Sequence, residues 1–313
     1  MYGAGIDIGG TFTKIALVAP DGRVINSDRV DTVPEAGAES AFLALRSAME
    51  RMSAAAGLSY PPPAGCGIGI PGTVDYKSGW LIDSGPLKWR NVGIRELAER
   101  ILACRVAVDT DANAGALADL YWGCARESLD LIYVTWGTGI GAGLIFDRKL
   151  HHSQRGRVCN LGHAPADPAS TRSCYCGCKG CLEVEAGGKA LVDQAKARVF
   201  AGEESMLRDA GEDLTPEHIA QAAGLGDRVA SEILHRAGTL MARIVAMLMS
   251  VLNPDTVVFG GGVSRCLPLI RASFDQELQA RAPSFARDLT RVVQSSFGGE
   301  AGVLGAASLV IKQ

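Results

Sequence analysis

Short runs of apolar residues near the amino terminus form a pattern that returns later in the chain. Residues 2–8 and 13–18 are apolar enough for two strands, and the glycine turn "DIGGT" lies between them. "PDG" supplies hairpin residues before a third predicted strand, "RVINSDRV". From residue 129, "LDLIYVTW", "GTGIG" and "AGLIF" repeat the order of strand, glycine turn and strand, and "DRK" forms a turn before another short segment. The sequence therefore predicts a three-strand meander that occurs twice.

The rest of the chain alternates between helical and strand patterns. The predicted helices cover residues 36–57, 93–103, 112–124, 188–200, 216–223, 227–252, 264–281 and 300–312. The predicted strands cover residues 65–70, 105–109, 256–259 and 289–293. Such mixtures build layered α/β domains. Two similar lobes imply a cleft between them, and ligands usually bind in such clefts.

Composition limits the classes of partner. The 313 residues are 47% hydrophobic, which suits a two-domain protein with a large core. The net charge of -3 gives no attraction to nucleic acid or to an anionic membrane, so we expect a small-molecule partner. No secretory signal opens the sequence, and the longest apolar candidate, residues 240–252, contains Arg243 and is predicted to be a buried helix. Nine cysteines without a signal indicate a reducing compartment and predict a cytoplasmic protein.

Three glycine clusters have the chemistry of a nucleotide site. Glycine lets backbone N–H groups approach an anion closely, and Asp7, at the end of a strand, can hold magnesium directly or through water. The cluster at 257–264 follows an apolar strand and could admit an adenine ring. Each turn taken alone is equally consistent with a tight hairpin that binds nothing. The predicted nucleotide-binding residues are Asp7, Gly9, Gly10, Thr11, Thr13, Lys14, Gly137, Thr138, Gly139, Gly141, Gly260, Gly261 and Gly262.

Two familiar phosphate-binding patterns do not apply. "GIGIPG" at 67–72 fits a dinucleotide fingerprint in form, but Pro71 interrupts it and no amphipathic helix follows. The P-loop pattern is absent from the sequence. Phosphate must therefore be held in another way.

The segment "VAVDTDANAGALAD" supplies a candidate general base. A predicted strand ends at Asp109, and Asp111 stands just before a helix that begins near Ala112, where the helix dipole should keep a carboxylate ionised. A general base of this kind contributes a rate factor of about 10² to 10⁴. On the local sequence alone, the alternative that Asp111 only caps the helix fits slightly better, and it is the combination of strand-end carboxylates with the glycine turns that favours a base.

These motifs together resemble the ROK family of sugar kinases and repressors. The matching segments are "DIGGT", "GIGIPG", "DTDANAGAL", "GTGIGAGLI", "GHAPADPASTRSCYCGCKGCLE" and "VVFGGGVS", and they run from about Gly5 to Gly305. The resemblance implies the α/β fold of the actin, Hsp70 and hexokinase-like superfamily, with two ribonuclease H-like domains, an inter-domain cleft and a zinc-binding loop. The expected small domain is 1–115, completed by 299–313, and the expected large domain is 116–298.

The loop at 162–183 carries the family's most specific pattern, G-H followed by C-x-C-G-x-x-G-C-x-E. The resemblance implies His163, Cys174, Cys176 and Cys181 as the ligands of a structural zinc ion, because a filled tetrahedral site leaves no position for an activated water. Cys178 falls on a variable position. It could compete as a ligand or support an iron–sulfur cluster, although its spacing suits neither ferredoxin pattern.

The resemblance also implies a sugar-binding site, from which this sequence departs. Family positions that meet sugar hydroxyls correspond to Gly72, Asp111, His163 and Glu183. Three neighbouring positions have lost a polar group of the glucokinase pattern: Thr110 and Gly85 stand where the family has asparagine, and Asn160 where it has glutamate. An unpaired sugar hydroxyl costs affinity and specificity. The pattern therefore predicts a sugar kinase for which glucose is in doubt.

We expect ATP as phosphoryl donor, catalytic Mg²⁺, structural Zn²⁺, a sugar or polyol substrate and a homodimer or homotetramer. Two other functions remain open. A sugar-responsive repressor would carry a helix-turn-helix segment before D-x-G-G-T, where this sequence has six residues. A sugar-binding protein without catalysis fits the altered pocket, although Asp7 and Asp111 are retained.

Overall fold

The computed structural model describes residues 1–153 and 159–312. Over these residues the strands are β1 Gly3–Ile8, β2 Phe12–Val18, β3 Val24–Asp31, β4 Cys66–Ile70, β5 Thr73–Asp75, β6 Trp80–Ser84, β7 Trp89–Gly93, β8 Val106–Thr110, β9 Leu131–Trp136, β10 Ile140–Phe146, β11 Lys149–Leu150, β12 Thr256–Gly260 and β13 Arg291–Gln294. The α-helices are α1 Gly37–Ala55, α2 Ile94–Leu102, α3 Asp111–Trp122, α4 Leu182–Ala186, α5 Gly188–Phe200, α6 Pro216–Gly224, α7 Arg228–Leu252, α8 Leu267–Arg281, α9 Ser284–Arg287 and α10 Ala301–Ile311. Short 3-10 helices cover Pro34–Ala36, Leu161–His163, Met206–Asp213, Val263–Cys266 and Gly298–Glu300.

Two five-stranded sheets repeat one topology. The first has the order β3-β2-β1-β4-β8, and the second has the order β11-β10-β9-β12-β13. In the first, β1, β2 and β3 form an antiparallel meander, while β4 and β8 continue the sheet parallel to β1. In the second, β12 and β13 are parallel. The predicted repeat of the meander is confirmed.

Most predicted helices and strands are found within two or three residues of their expected bounds. The prediction of one helix over 264–281 is wrong in part, because a 3-10 turn occupies Val263–Cys266 and the α-helix starts at Leu267, with Pro268 in its first turn. Proline favours that position because it has no N–H to donate. A third sheet, β5-β6-β7, was not predicted from the sequence.

The chain divides into two compact units, which we describe separately. The first comprises Met1–Tyr133, Gly143–Val158 and Ser295–Gln313, and the second comprises Val134–Ala142 and Cys159–Gln294. The carboxy-terminal segment therefore belongs with the amino-terminal sheet. The expected domain boundary between residues 115 and 116 stays a prediction.

In the first unit, α10 packs unusually close to its neighbours because glycines remove the side chains between them. A Cβ atom at Gly5 on β1 would collide with the carbonyl oxygen of Val303, and one at Gly305 would collide with that of Ala114 on α3. Backbone therefore contacts backbone on both sides of α10. This close packing places the amino terminus of α10 beside the end of β1.

The apolar segment around Arg243 lies in α7, as predicted. This helix is long and apolar enough to cross a membrane, but 61% of its most apolar window is buried inside the protein. Core helices of soluble proteins pass the same test.

Candidate functional site

Asp7 lies near the end of β1, on the face of the sheet that also carries Lys14. The two residues are directly opposite each other in the antiparallel pair of β1 and β2. The ammonium of Lys14 donates to Glu300 Oε1 at 2.8 Å and to the carbonyl of Gly299. Thr13 lies one position away, so its side chain points to the opposite face. Thr13 and Lys14 were both predicted to bind nucleotide. Thr13 is instead buried on the opposite face of the sheet, with its hydroxyl 2.9 Å from that of Thr32.

The first glycine turn is a tight connection between β1 and β2. The N–H of Gly9 donates to Phe12 O at 3.1 Å, so this amide, which we predicted to meet phosphate, is used within the turn. A Cβ at Gly10 would lie 3.3 Å from the side chain of Pro86, which places the turn against the segment after β6. Among the described residues, no acceptor is found for the amides of Gly10 and Thr11. These two amides are the donors that the turn can offer to an anion.

The Asp7 carboxylate and the Cα atom of Asp111 lie beside the same point on β4. A Cβ at Gly69 would lie 3.8 Å from Asp7 Oδ1 and 3.5 Å from Asp111 Cα. Gly302, in the first turn of α10, has no side chain, and a Cβ there would collide with the Asp7 carboxylate. Asp7 is thus held between two backbone segments, at the positive end of a helix dipole.

The surroundings of Asp7 make its ionised form costly. Burial, together with the nearby Asp111 carboxylate, raises the pKa of Asp7 to about 7, although Lys14 lowers this pKa. The side chain keeps a partly accessible surface. A divalent cation would relieve the repulsion between two neighbouring carboxylates, and oxygen ligands are those that Mg²⁺ prefers. Asp7 therefore fits the role of a magnesium ligand, directly or through water.

Asp111 is the first residue of α3, and the cap of that helix is Thr110. The hydroxyl of Thr110 accepts from the N–H of Asn113 at 3.2 Å, so the alternative in which Asp111 is the capping residue is wrong. Burial raises the pKa of Asp111, and the N–H of Ala112, 2.9 Å from Oδ1, opposes this shift. The expected helix-terminus effect on its ionisation is therefore opposed by desolvation. A raised pKa makes a carboxylate a stronger base.

A buried cluster behind Thr110 was not found from the sequence. Asp109 Oδ2 is 2.7 Å from His152 Nε2, while Asp109 Oδ1 accepts from Asn113 Nδ2 and from the Thr110 N–H, both at 2.7 Å. Tyr76 stacks on the His152 ring with the centroids 3.7 Å apart. The hydrogen bonds to Asp109 Oδ1 fix the start of α3. Asp109 and His152 are 43 positions apart in the sequence, which explains why no local pattern indicates the pair.

Gly72 and Gly85 lie near the end of β6. Gly72 has a φ of 122°, which favours glycine, and a Cβ there would lie 2.9 Å from Ser84 Cα. Among the residues that the structure describes, a Cβ at Gly85 would have no atom within 4 Å. The position at which the resembling family has asparagine is therefore not obstructed by any described residue of this chain.

In the second unit, the second glycine turn is shorter than predicted. Gly141 lies inside β10, so the turn consists of residues 137–139. The Gly137 N–H donates to Gly139 O at 3.0 Å, and the carbonyls of Gly137 and Thr138 accept from the first amides of α5 at 2.8 and 3.1 Å. The amides of Thr138 and Gly139 have no acceptor among the described residues. These two amides correspond to the free pair in the first turn.

The Glu183 carboxylate contacts this second turn. Its Oε2 accepts from the Ile140 N–H at 2.9 Å, and a Cβ at Gly139 would collide with the same carboxylate. A Cβ at Gly162 would lie 3.1 Å from Glu183 Oε2. Glu183, predicted as a substrate ligand, thus also links the glycine turn to the cysteine loop.

The third glycine cluster lies at the end of β12. Gly261 has a φ of 85°, and a Cβ there would lie 2.5 Å from Trp136 O, so packing against β9 requires glycine at this position. The Ser264 hydroxyl donates to Gly261 O at 2.7 Å and fixes the turn after the strand. Gly260 is the last residue of β12, and Gly262 follows the turn near Glu217. This cluster has a structural reason for its central glycine, and its predicted contact with adenine stays a prediction.

Four side chains of the cysteine loop converge on one point. The ligand atoms of His163, Cys174, Cys176 and Cys181 all lie within 4.8 Å of one another. His163 Nδ1 is 3.4 Å from Cys174 Sγ, and the sulfurs of Cys176 and Cys181 are 3.6 Å apart. A tetrahedral zinc ion with these ligands has edges of about 3.5–3.8 Å. The loop therefore fits zinc, with Nδ1 as the histidine ligand.

Cys178 does not belong to this group of ligand atoms. Its carbonyl accepts from the Cys174 N–H at 2.8 Å, so its backbone shapes the loop. Its side chain is exposed. Among the described residues, the loop offers one four-ligand group, which favours neither competition by Cys178 nor an iron–sulfur cluster.

A buried ion-pair network holds the other side of the loop. The Glu185 side chain is fully buried and accepts from Arg172 at 2.9 Å, from Arg236 on α7 at 2.8 Å and from the hydroxyl of Ser170. Arg236 also pairs with Asp167 at 2.6 Å. A buried carboxylate needs such partners to remain charged. The loop is therefore anchored to α4 and α7 without its metal ligands.

Asn160 precedes the 3-10 turn that contains His163. Its carbonyl accepts from the His163 N–H at 2.9 Å, and its side chain is exposed. The amide at this position keeps a hydrogen-bonding group but not the negative charge of glutamate.

Comparison with known proteins agrees with the architecture of both units. The model of the ROK family matches residues 3–313. A glucokinase from Thermotoga maritima is 30% identical over 98% of this chain and 96% of its own, and a xylose repressor from Caldicellulosiruptor bescii is 30% identical over 98% of this chain and 77% of its own. The solved ROK family glucokinase from Streptomyces griseus, in complex with glucose and AMPPNP, is 31% identical with a TM-score of 0.85, and the match covers 100% of both chains. The expected α/β fold of the actin-like ATPase type is confirmed.

Proposed function

The chain belongs to the ROK family, and from that premise we propose that it is an ATP-dependent kinase that phosphorylates a hydroxyl group of a sugar or a sugar-like alcohol. The observation that carries the proposal is the pair of carboxylates in the first unit. Asp7 and Asp111 flank Gly69, and burial raises the pKa of both. A protein that only binds a neutral sugar gains nothing from placing two like charges so close.

The two carboxylates have different tasks in this proposal. Asp111, at the start of α3, accepts the proton of the attacking hydroxyl, and its raised pKa increases its strength as a base. Asp7 would hold a magnesium ion, which would neutralise charge on the phosphates when bound. Lys14 lies opposite Asp7 and limits the negative charge before metal and nucleotide arrive.

The glycine turns supply the phosphate contacts. In the first unit, the free amides of Gly10 and Thr11 are the proposed donors, and in the second unit those of Thr138 and Gly139. Backbone amides in such turns bind anions because no Cβ blocks the approach. The solved relative from Streptomyces griseus contains AMPPNP, which supports an adenine nucleotide as the donor.

Substrate recognition is proposed for Gly72, Thr110 and Asp111 in the first unit and for Asn160, His163 and Glu183 in the second. The zinc ion, held by His163 Nδ1 and three thiolates, would fix the ring of His163 and leave Nε2 for a hydroxyl. The open space at Gly85 and the lost charge at Asn160 favour a substrate other than glucose. We infer a hexose derivative or polyol that needs fewer polar partners at these positions.

A second function, sugar binding without catalysis, is favoured by one finding. A xylose repressor from Caldicellulosiruptor bescii is as similar to this chain as a glucokinase from Thermotoga maritima. The two functions differ once the sugar has bound. A kinase releases ADP at a rate that depends on the sugar, and a sensor does not.

A coupled assay of ADP release across hexoses, N-acetylhexosamines and polyols tests the proposal. We expect at least one compound to stimulate turnover, and the Asp111→Ala variant to lose about 10²–10⁴-fold of that rate. Calorimetry on the same compounds identifies those that bind. Compounds that bind with no turnover in the wild type would favour the sensor.

A further inference from the structure

Two cysteine thiols of the first unit lie against each other, away from the proposed active site. The Sγ atoms of Cys66 and Cys104 are 3.1 Å apart. Cys66 is the first residue of β4 and is fully buried, whereas Cys104 lies in the short connection between α2 and β8 and is partly exposed. A disulfide bond is about 2.05 Å long, so the sulfurs would need to approach by about 1 Å.

The backbone around the two cysteines fixes their proximity. The Cys66 N–H donates to Arg105 O at 2.9 Å, and Cys66 pairs with Val106 in the parallel ladder of β4 and β8. Ala103 ends α2 in the left-handed conformation, with a φ of 56°. Three residues therefore separate the end of α2 from the ladder. Cys104 is the middle residue of this connection.

The two thiols differ in acidity and access. Contact with the Cys66 thiol lowers the pKa of Cys104, while contact with Cys104 and burial raise the pKa of Cys66. Thiolate is the form that attacks a disulfide. Cys104 is therefore the first nucleophile, and Cys66 is the resolving thiol beside it.

We propose that Cys66 and Cys104 form a reversible disulfide by exchange with a small-molecule disulfide of the glutathione type. The Cys104 thiolate attacks oxidised glutathione, forms a mixed disulfide and releases one glutathione thiolate. Cys66 then loses its proton and attacks the Cys104 sulfur, which releases the second glutathione thiolate. The protein loses two electrons and two protons, and one oxidised glutathione becomes two reduced molecules.

This inference does not depend on the proposed kinase function. The thiols lie at the end of the sheet where the parallel strands β4 and β8 begin. Gly72 and Asp111 follow the opposite ends of these two strands. The disulfide would join the start of β4 to the connection before β8. Peptide mapping can therefore succeed or fail whether or not the protein phosphorylates a sugar.

Peptide mapping of the zinc-loaded full chain tests the proposal. The protein is equilibrated with oxidised glutathione, free thiols are blocked by alkylation, and tryptic peptides are analysed by mass spectrometry. We expect the peptides 52–77 and 101–105, which contain Cys66 and Cys104, to be joined with the loss of two hydrogens. Reduction with dithiothreitol should separate them again.

Three variants separate the roles of the thiols. Cys66→Ser should trap one glutathione on Cys104, and Cys104→Ser should leave the buried Cys66 unmodified. Cys266→Ser, which removes a buried cysteine of the second unit, should leave the cross-link unchanged. If a serine variant fails to fold, the mapping of the wild type decides alone. Both thiols remaining free in excess oxidised glutathione, or Cys104 carrying glutathione in the wild type without any cross-link, would overturn the proposal.

Discussion

At the scale of single residues, Asp7 has the clearest physical signature. Its pKa is about 7 in the folded protein, against 3.8 for an ordinary aspartate. Since the folded state holds this proton more tightly, the stability it contributes is present in full below about pH 4 and is lost as the pH rises to about 7. The metal-free protein should therefore lose more stability between pH 5 and pH 8 than its Asp7→Asn variant. Urea unfolding of both proteins at the two pH values measures this difference.

The effect of magnesium on the stability of the same two proteins tests Asp7 as a metal ligand. At pH 8 the ion should stabilise the wild type, because it neutralises an ionised carboxylate that has no proton, and it should not stabilise the Asp7→Asn variant. Equal pH dependence in the two proteins would refute the raised pKa. Equal stabilisation by magnesium would refute the role of Asp7 as its ligand.

A substitution at Gly85 tests whether this position affects the choice of substrate. Among the described residues, a Cβ at this position meets no atom within 4 Å, so Gly85→Asn should fold normally and place an amide where the resembling kinases have one. One regained hydrogen bond of about 1 kcal/mol corresponds to about a fivefold gain in glucose affinity. Isothermal titration calorimetry with glucose measures it. Gly224→Asn, at another unobstructed glycine, should leave the affinity unchanged, and no gain for Gly85→Asn would show that this position does not face the sugar.

Residue patterns predicted some of these positions and missed others for identifiable reasons. Asp7 lies near the end of one strand that is visible in the sequence and Asp111 follows another, and the two residues lie close together in the structure. Thr13 was grouped with Lys14 by adjacency, although strand alternation places them on opposite faces. His152 could not be found, because its contact with Asp109 depends on the tertiary fold.

At the scale of secondary-structure elements, α10 depends on glycine for its position. A Cβ at Gly305 would collide with the backbone of Ala114, which cannot rotate away as a side chain could. Gly305→Ala should therefore lower the free energy of unfolding by about 1–3 kcal/mol. Chemical denaturation measures the loss. Gly224→Ala, in a helix with free space around that position, should change stability by less than about 1 kcal/mol, and equal effects of the two substitutions would contradict the close packing of α10.

The cysteine loop permits a matched pair of substitutions. Cys181 supplies a ligand atom to the four-residue group, whereas the neighbouring Cys178 lies outside it. Purified wild type and Cys178→Ser should each contain one zinc ion per chain, and Cys181→Ser should contain much less, because zinc needs its fourth ligand. Elemental analysis of the three proteins tests this. Zinc loss in Cys178→Ser would show that the ligand set is wrong.

The elements that sequence patterns predicted are those with an apolar run or a long apolar period, such as α7, whose expected bounds differ by one residue at the start. The sheet formed by β5, β6 and β7 escaped prediction because its short strands carry polar residues, as in "TVDYKSGW". Short strands depend on their partners more than on their own sequence. The ion pair of Glu185 and Arg236, which anchors the loop, could not be predicted either, because the two residues are 51 positions apart in the sequence.

At the scale of the whole molecule, the repeated topology links the fold to the proposed chemistry. Each five-stranded sheet contains a hairpin closed by a glycine turn, and each turn keeps two amides without an acceptor among the described residues. The repeat could be predicted from the sequence because the order of strand, glycine turn and strand recurs. The identity of the substrate could not, because it depends on a few polar groups at Gly85, Thr110 and Asn160.

The central claim is that Asp111 removes a proton from a sugar hydroxyl that attacks ATP. The most direct test is mass spectrometry of the sugar after incubation with the protein, ATP and magnesium, using a compound that calorimetry has shown to bind. The wild type should convert this compound to a product that carries one added phosphoryl group, and Asp111→Asn, which keeps the shape of the side chain, should form about 10²–10⁴ times less in the same time. A bound sugar that the wild type never phosphorylates, or equal product from both proteins, would contradict the account.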